Sequence, residues 1–270
     1  MAFKTFQPRL GVWGSPWVGL YNFQRLFSSP NFSKILWNTV CLNVYGLIAG
    51  FPFPIILAVC VNYSFLRRFK KITQSVTFAP FFLSTVLLVG LVVQFLGLRS
   101  GAFNVLLSSL GLNQIDFMGS PKLFPHIYVW SGIWQSTGYG AIIYISALAG
   151  VDPTMHEAAI IDGATMWQRT WHIDLITIRP IIVIMLILSM GGILGGSFEK
   201  AYLMQNSLNI ETSEILPTYI YKVGLGVGGG GSRPDYSFGT AVGLFQNIVG
   251  VILTLTVNKI AKILTDESMY

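Results

Sequence analysis

Five long apolar stretches constrain this chain more than any other feature of its sequence. Each is close to the length of about 20 apolar residues that a helix needs to cross the hydrocarbon core of a bilayer. The stretches run from Leu36 to Val61, Ile72 to Leu98, His126 to Gly150, Ile178 to Met204 and Phe238 to Ala261. The sequence therefore predicts an all-α polytopic membrane protein with five transmembrane helices.

The composition agrees with a membrane protein and excludes two other classes. Only 10% of the 270 residues are charged and 53% are hydrophobic, whereas a soluble domain carries about 25% charged residues. The low charge excludes an ordinary soluble enzyme, and the high hydrophobicity excludes a disordered chain. The net charge of +6 is too small to indicate nucleic-acid binding. In membrane proteins such an excess reflects Lys and Arg at the cytoplasmic ends of spans.

The connection after the first span determines the predicted orientation. Four of the five residues from Arg67 to Lys71 are positively charged, which places this connection in the cytoplasm. Alternation then assigns the other segments: residues 1–35, 99–125 and 205–237 lie outside, and 151–177 and the tail 262–270 lie in the cytoplasm. We therefore predict a single transmembrane domain over residues 1–270, with five spans within 36–261, and we expect a sixth helix upstream.

The motifs of several enzyme and carrier classes are absent from the sequence. There is no Gly-x-x-x-x-Gly-Lys-[Ser/Thr] loop for ATP, no His pair with metal-ligand spacing and no Ser/His/Asp arrangement. We therefore predict no catalytic residues, no metal and no cofactor in this chain. The string Gly226-x-Gly228-x-x-Gly231 lies in a glycine run without a preceding strand, and we interpret it as a loop.

Ionisable residues are scarce within the predicted spans, where Glu199 and Lys200 are the clearest. A carrier driven by an ion gradient usually needs carboxylates or histidines at mid-membrane depth. The scarcity counts against such a secondary carrier, which remains the alternative function.

The loop 151–177 contains the most informative segment of the chain. Asp152 can cap a helix that begins at Pro153, and Gly163 can end it. The residues thus predict a short helix at the inner membrane face. From composition alone it could equally be an interfacial linker helix.

The segment from Glu157 to Pro180 resembles a signature of a known family. Glu157-Ala158-Ala159, Asp162-Gly163-Ala164, Ile173-x-Leu175 and Pro180 match the "EAA" signature of the membrane subunits of ABC importers. Four further segments, Ser15–Phe27, Asn38-Thr39, Phe51–Pro54 and Gly239–Phe245, are similar to the maltose-type carbohydrate-uptake permeases. The resemblance is strongest to the branch that serves oligosaccharides from polysaccharides such as alginate and pectin. The chain departs from the family at Ile176, where a proline is usual.

The resemblance implies a mechanism and a set of partners. The short helix would be a cytoplasmic coupling helix that docks on an ATPase subunit through Glu157, Ala158, Ala159, Asp162, Gly163 and Ala164. The implied complex contains a second homologous permease, two ATPase subunits that bind ATP and Mg, and a periplasmic or lipid-anchored solute-binding protein. The implied location is a bacterial inner membrane, and the substrate is an oligosaccharide.

Polar and aromatic side chains in two spans are candidates for the sugar pathway, because sugars bind to aromatic faces and to amide groups. The candidates are Trp134, Gln135 and Tyr139 in the third span and Gln246 and Asn247 in the last. Aromatic residues at membrane interfaces are more often anchors or packing residues. The external segments 1–35 and 205–237 are long for connectors and carry aromatic and charged residues. They are candidates for the surface that receives the binding protein. The alternatives are that 1–35 only covers the missing first helix and neighbouring spans, and that 205–237 is a solvated connector.

Overall fold

The computed structural model describes residues 1–64, 66–227 and 233–265, and these fold mainly into helices. Within these residues the β-structure consists of two isolated bridges, Lys4 with Trp17 and Gln7 with Gly11, so the all-α prediction is confirmed. The α-helices are α1 Gly11–Gly14, α2 Tyr21–Phe27, α3 Phe32–Gly50, α4 Pro52–Asn62, α5 Arg67–Phe78, α6 Thr85–Leu96, α7 Ala102–Ser109, α8 Phe124–Leu148, α9 Pro153–Ile161, α10 Met166–Arg169, α11 Leu175–Thr177, α12 Arg179–Gly191, α13 Phe198–Met204, α14 Ile210–Ser213, α15 Leu216–Leu225 and α16 Tyr236–Thr265.

Two of the predicted spans are long, apolar helices in the structure. α3 and α4 together form a stretch of 31 residues with a mean hydropathy of 2.2. Pro52 is tolerated because it lies in the first turn of α4, where its missing N–H leaves no helical bond unmade. The last span corresponds to α16, whose Tyr236–Ile260 part has a mean hydropathy of 1.8. Several of its apolar side chains are about half exposed, among them Val251 and Leu255. Such a surface suits lipid or another helix.

The second predicted span, Ile72 to Leu98, is not one continuous helix. After α5 a 3₁₀ turn runs over Ala79–Phe82, Leu83 is extended, and α6 begins at Thr85. Pro80 explains the break, because it cannot donate a backbone hydrogen bond to the preceding turn. The side-chain amide of Gln135 donates to the carbonyl of Leu83, at 2.9 Å. One of the backbone groups freed at the break is therefore hydrogen-bonded within the protein.

The fourth predicted span, Ile178 to Met204, is also interrupted. α12 ends at Gly191, and α13 begins only at Phe198. Four glycines between 191 and 196 lower the helix propensity here, and Gly196 has a φ of +54° that other residues rarely adopt. Upstream, the helical segment Met166–Thr177 meets α12 at an angle of 63°. With Ile176 in place of the usual proline, the helical segment thus continues to Thr177 before the bend.

The third predicted span corresponds to the 25-residue helix α8. It is long enough to span a bilayer, but its many aromatic, glycine and hydroxyl residues make it less apolar than the others. By length and composition the described residues contain two membrane-spanning helices, or up to four if each bent pair is one span. The five-span topology therefore stays a prediction.

The segment 205–237, predicted as an external connector, is largely helical. It contains α14 and α15, and Leu216 of α15 is fully buried. The glycine run was assigned to this segment, but Gly228–Ser232 lie outside the described residues. Gly226 adopts the left-handed conformation that ends α15.

The contacts divide the chain into two units, each with its own core. The first unit comprises Met1–Val44, Thr85–Tyr128 and Met190–Thr254, and the second comprises Tyr45–Ser84, Val129–Ser189 and the chain from Leu255 onward. The core of the first joins α2, α3, α15 and α16 through Leu26, Phe32, Ile35, Leu216, Phe238 and Val242. The core of the second joins α4, α8 and the start of α12 through Ala58, Ala141, Tyr144, Leu148 and Ile178.

Candidate functional site

The helix that carries the Glu-Ala-Ala sequence begins as predicted. The Asp152 carboxylate accepts a hydrogen bond of 2.9 Å from the Thr154 backbone N–H, and Pro153 occupies the first helical position. The same bond favours the charged carboxylate and therefore lowers the pKa of Asp152. The start of α9 is thus fixed by local chemistry.

The end of α9 is fixed just as locally. Gly163 has a φ of +78°, its N–H donates to the Ile160 carbonyl at 3.0 Å, and the N–H of Ala164 donates to the Ala159 carbonyl at 2.8 Å. This pair of bonds is a Schellman motif, which satisfies the last carbonyls of a helix and reverses the chain direction. The predicted helix and its two ends are confirmed, and its coupling role stays a prediction.

α9 has no buried residue, and its surface is only partly polar. Glu157, Ala158 and Asp162 are exposed, while Ile160 and Ile161 expose 55% and 87% of their surface. The same loop exposes Trp167 and Trp171 by 68% and 62%. Exposed apolar surface of this kind is typical of a site that contacts another protein or the membrane. The predicted coupling residues therefore lie where a partner could reach them.

A buried carboxylate that sequence reasoning missed lies near the end of this loop. Asp174 is fully buried in the π-helical segment Thr170–Asp174 that follows α10. Its Oδ2 accepts a 2.6 Å hydrogen bond from the hydroxyl of Tyr63, the residue that follows α4. Nε2 of His156, on α9, lies 3.2 Å from Oδ1, without hydrogen-bond geometry. No sequence signal could have paired residues that are 111 positions apart.

The candidate sugar residues of the third span have different environments. Trp134 is half exposed and lines a cavity of about 360 Å³ with Phe53, Trp130, Thr77 and Thr137 among others. Trp130 is fixed in this wall, because its indole N–H donates to the Tyr45 hydroxyl at 2.9 Å. The Thr77 and Thr137 hydroxyls donate to the backbone carbonyls of Thr73 and Ile133, at 2.7 and 2.6 Å, so the wall of this cavity is mainly aromatic and apolar.

The two neighbours of Trp134 in the prediction have structural contacts instead. The Gln135 amide is bonded to Leu83 at the break between α5 and α6. The ring of Tyr139 stacks on that of Phe81, with centroids 3.8 Å apart and planes at 4°. Gly138, between them, is required by packing, because a side chain there would overlap the Thr77 carbonyl.

Gln246 and Asn247 lie in the first unit, whereas Trp134, Gln135 and Tyr139 lie in the second. Oε1 of Gln246 is buried and has no hydrogen-bond partner among the described residues. Asn247 is exposed and lines a groove of about 540 Å³ between α15 and α16, together with Gly239, Gly243 and Tyr221. Asn247 is therefore accessible to a group outside the described residues, whereas Oε1 of Gln246 is enclosed.

A charged cleft lies in the first unit, where α2, α15 and the start of α16 meet. Its volume is about 730 Å³. Two ion pairs line it: Arg25 contacts Asp235 at 2.5 Å, and Lys222 contacts Glu214 at 3.0 Å. Arg233 also lines the cleft, is exposed, and has no ion-pair partner among the described residues. The cleft thus joins the two segments that were predicted to lie outside, 1–35 and 205–237.

Long apolar helices and an exposed, capped helix with the Glu-Ala-Ala sequence define the class as a multi-pass membrane subunit of an importer. The chain belongs to the family of binding-protein-dependent transport system inner membrane components, whose model matches residues 50–266. This membership supports the importer prediction and not the alternative of an ion-driven carrier.

Individual relatives match almost the whole chain. Two proteins of Bacillus subtilis (strain 168) are each 40% identical over all 270 residues: Protein LplB, of which the match covers 83%, and the polygalacturonan/rhamnogalacturonan transport system permease protein YteP, of which it covers 82%. A crystal structure of a bacterial ABC transporter involved in the import of the acidic polysaccharide alginate contains a similar chain. It superposes with a TM-score of 0.87 and 36% identity, covering 93% of this chain and 85% of that chain.

Proposed function

We propose that this chain is the permease subunit of an ATP-driven importer of oligosaccharides, such as fragments of pectin or alginate. The observation that supports this most strongly is the 40% identity over the whole chain to a permease named for polygalacturonan and rhamnogalacturonan. The similarity to the alginate transporter supports the same substrate class. Both substrates are built from uronic acids, so the cargo would be anionic.

In this proposal α9 is the coupling helix. Its Glu157 and Asp162 offer carboxylates to basic groups of an ATPase subunit, and the small Ala158 and Ala159 allow close approach. The exposed Ile160 and Ile161 would become buried on docking. ATP and Mg would be held by the ATPase subunits, and their closure would displace α9 and the helices attached to it.

The membrane topology that fits this role has five spans in the described chain, with α9 and the C-terminus in the cytoplasm. The basic residues at the start of α5 support this orientation. Each bent helix pair would count as one span, and α8 would be the span that contributes Trp134 to the pathway. A second, homologous permease would complete the pathway, because one such chain encloses only half of it.

The charged cleft is the proposed contact for the solute-binding protein. A related structure contains the alginate transporter in complex with an alginate pentasaccharide-bound periplasmic protein, and its matching chain is 34% identical to this one. Rim charges of the kind found in the cleft mainly set association rate and salt dependence. That behaviour suits a partner that binds and leaves in every cycle.

The proposal is tested with the complex that co-purifies with this chain, reconstituted in proteoliposomes. Uptake of oligogalacturonate or oligomannuronate should require ATP inside and the binding protein outside, and it should survive an uncoupler. A complex loaded with a non-hydrolysable ATP analogue is the control and should not transport. Uptake that follows an ion gradient without any ATPase subunit would overturn the proposal.

A further inference from the structure

The cluster around Asp174 determines how α9 is held. All nine residues of α9 are at least partly exposed, so little apolar burial attaches this helix to the rest of its unit. His156 is one of its less exposed residues, and its imidazole is the group that reaches the buried Asp174 carboxylate. The contacts of His156 with Asp174 and with the Tyr63 ring therefore connect α9 to the rest of its unit.

The carboxylate connects three segments. Tyr63 follows α4, Asp174 precedes α11, and His156 lies in the first half of α9. Tyr63 donates to one carboxylate oxygen and His156 approaches the other. The rings of Tyr63 and His156 also meet edge to face, with centroids 6.4 Å apart. A displacement of α9 alone would break two of these contacts.

Breaking the cluster is costly because Asp174 has no access to water. A buried carboxylate that loses its partners keeps the full desolvation penalty of its charge. Burial, and then the bond to Asp174, also raises the pKa of Tyr63, so its hydroxyl keeps the proton that it donates. The guanidinium of Arg169 lies 5.8 Å from the centre of the Tyr63 ring, and this cation–π contact helps to hold the ring in place.

We propose that Tyr63, Asp174 and His156 form a latch that makes α9, the end of α4 and the segment before α12 move as one body. This inference rests on the proposed coupling role of α9. When the ATPase displaces α9, the latch passes the movement to two spans. Without the latch the loop would absorb part of the movement, and ATP would be hydrolysed without transport. The three residues are positioning residues and do not touch ATP or sugar.

The test uses Tyr63→Phe and Asp174→Asn in the reconstituted importer. Tyr63→Phe removes one hydroxyl and keeps the ring, so it tests the latch even if Asp174→Asn impairs folding. Loss of a hydrogen bond to a charged group shifts an equilibrium by about tenfold or more. We therefore expect the number of sugars transported per ATP hydrolysed to fall about tenfold in each variant. The double variant should be less impaired than the product of the two single effects, because Tyr63→Phe deletes the bond that Asp174→Asn weakens by removing its charge.

The matched control is His172→Gln in the same loop. His172 is exposed, and its Nδ1 contacts the Gln168 carbonyl one turn away. This variant should transport normally, whereas His156→Gln should behave like Tyr63→Phe. A purely structural role for the cluster would lower the amount of assembled importer but leave the sugar-to-ATP ratio unchanged, and that result would overturn the latch.

Amide hydrogen exchange on the assembled, nucleotide-free importer gives a second readout that does not depend on sugar transport. Exchange of the amides of α9 should be about tenfold faster in Asp174→Asn than in the wild type. A wild type that imports no sugar would count against the proposed function only. Unchanged exchange in α9 would count against the latch, whatever the substrate.

Discussion

Gly163 ends α9 in a left-handed conformation, and this makes its replacement by alanine a clean perturbation. A side-chain carbon at this position would meet no other atom within 4 Å, so the substitution creates no clash. The only cost is conformational, about 1–2 kcal/mol for an L-residue with a φ near +78°. A cost of this size lowers the ratio of molecules with and without the turn after α9 by about 5- to 30-fold.

The assay is sugar uptake and binding-protein-stimulated ATP hydrolysis by the reconstituted importer. In Gly163→Ala both should fall severalfold, because a misdirected chain after α9 weakens contact with the ATPase. Gly163→Asn should be milder, since asparagine tolerates the left-handed region better than alanine.

Gly111 offers a matched control for this experiment. It has a φ of +75°, and a side-chain carbon there would likewise meet nothing within 4 Å. It follows α7 in the other unit, so Gly111→Ala imposes the same backbone strain far in sequence from α9. If Gly163→Ala and Gly111→Ala lowered uptake and stimulated ATP hydrolysis equally, or if neither variant lowered them, coupling would not depend on the turn at Gly163.

Three further predictions concern the ATPase contact, the sugar and the binding protein. Glu157→Gln should weaken association with the ATPase subunits by about 10- to 100-fold, because one charge-assisted bond of about 1.5–3 kcal/mol is lost. The measurement is the amount of ATPase that stays bound during purification, and full retention would contradict the contact. Trp134→Ala should raise the sugar concentration for half-maximal uptake about fivefold, through the loss of about 1 kcal/mol of stacking, while Trp134→Phe should recover most of it; equal values for both would exclude stacking. Arg233→Ser should slow association of the binding protein severalfold at low salt and flatten its salt dependence, measured by stopped flow; an unchanged salt dependence would remove the cleft from the docking surface.

Local signals in the sequence were sufficient to predict the long apolar helices and the two ends of α9. Apolar runs of about 20 residues identify membrane helices because a bilayer core has a fixed thickness, and α3, α4 and α16 follow them closely. Asp152, Pro153 and Gly163 determine the ends of α9 because each acts on backbone groups within four residues of itself. Helix capping is short-range chemistry, so the pattern and the structure agree there.

The broken helices were only partly predictable. Pro80 and the glycines near 191–196 indicate where a helix is easily interrupted, but apolar residues continue across both breaks. A break is stable only when another segment satisfies the freed backbone groups, as the Gln135 amide does for Leu83. That partner is 52 positions away, and composition does not identify it.

The sequence by itself determined the class of this protein, the position of its long apolar helices and the local form of α9. Only the tertiary structure placed Asp174 against Tyr63, Tyr139 against Phe81 and Arg25 against Asp235. These contacts join residues that are between 58 and 210 positions apart, and each depends on where whole helices pack. Hydropathy and capping act over a few residues along the chain, whereas the cluster around Asp174, the stacked rings of Tyr139 and Phe81 and the charged cleft each need segments that only folding brings together.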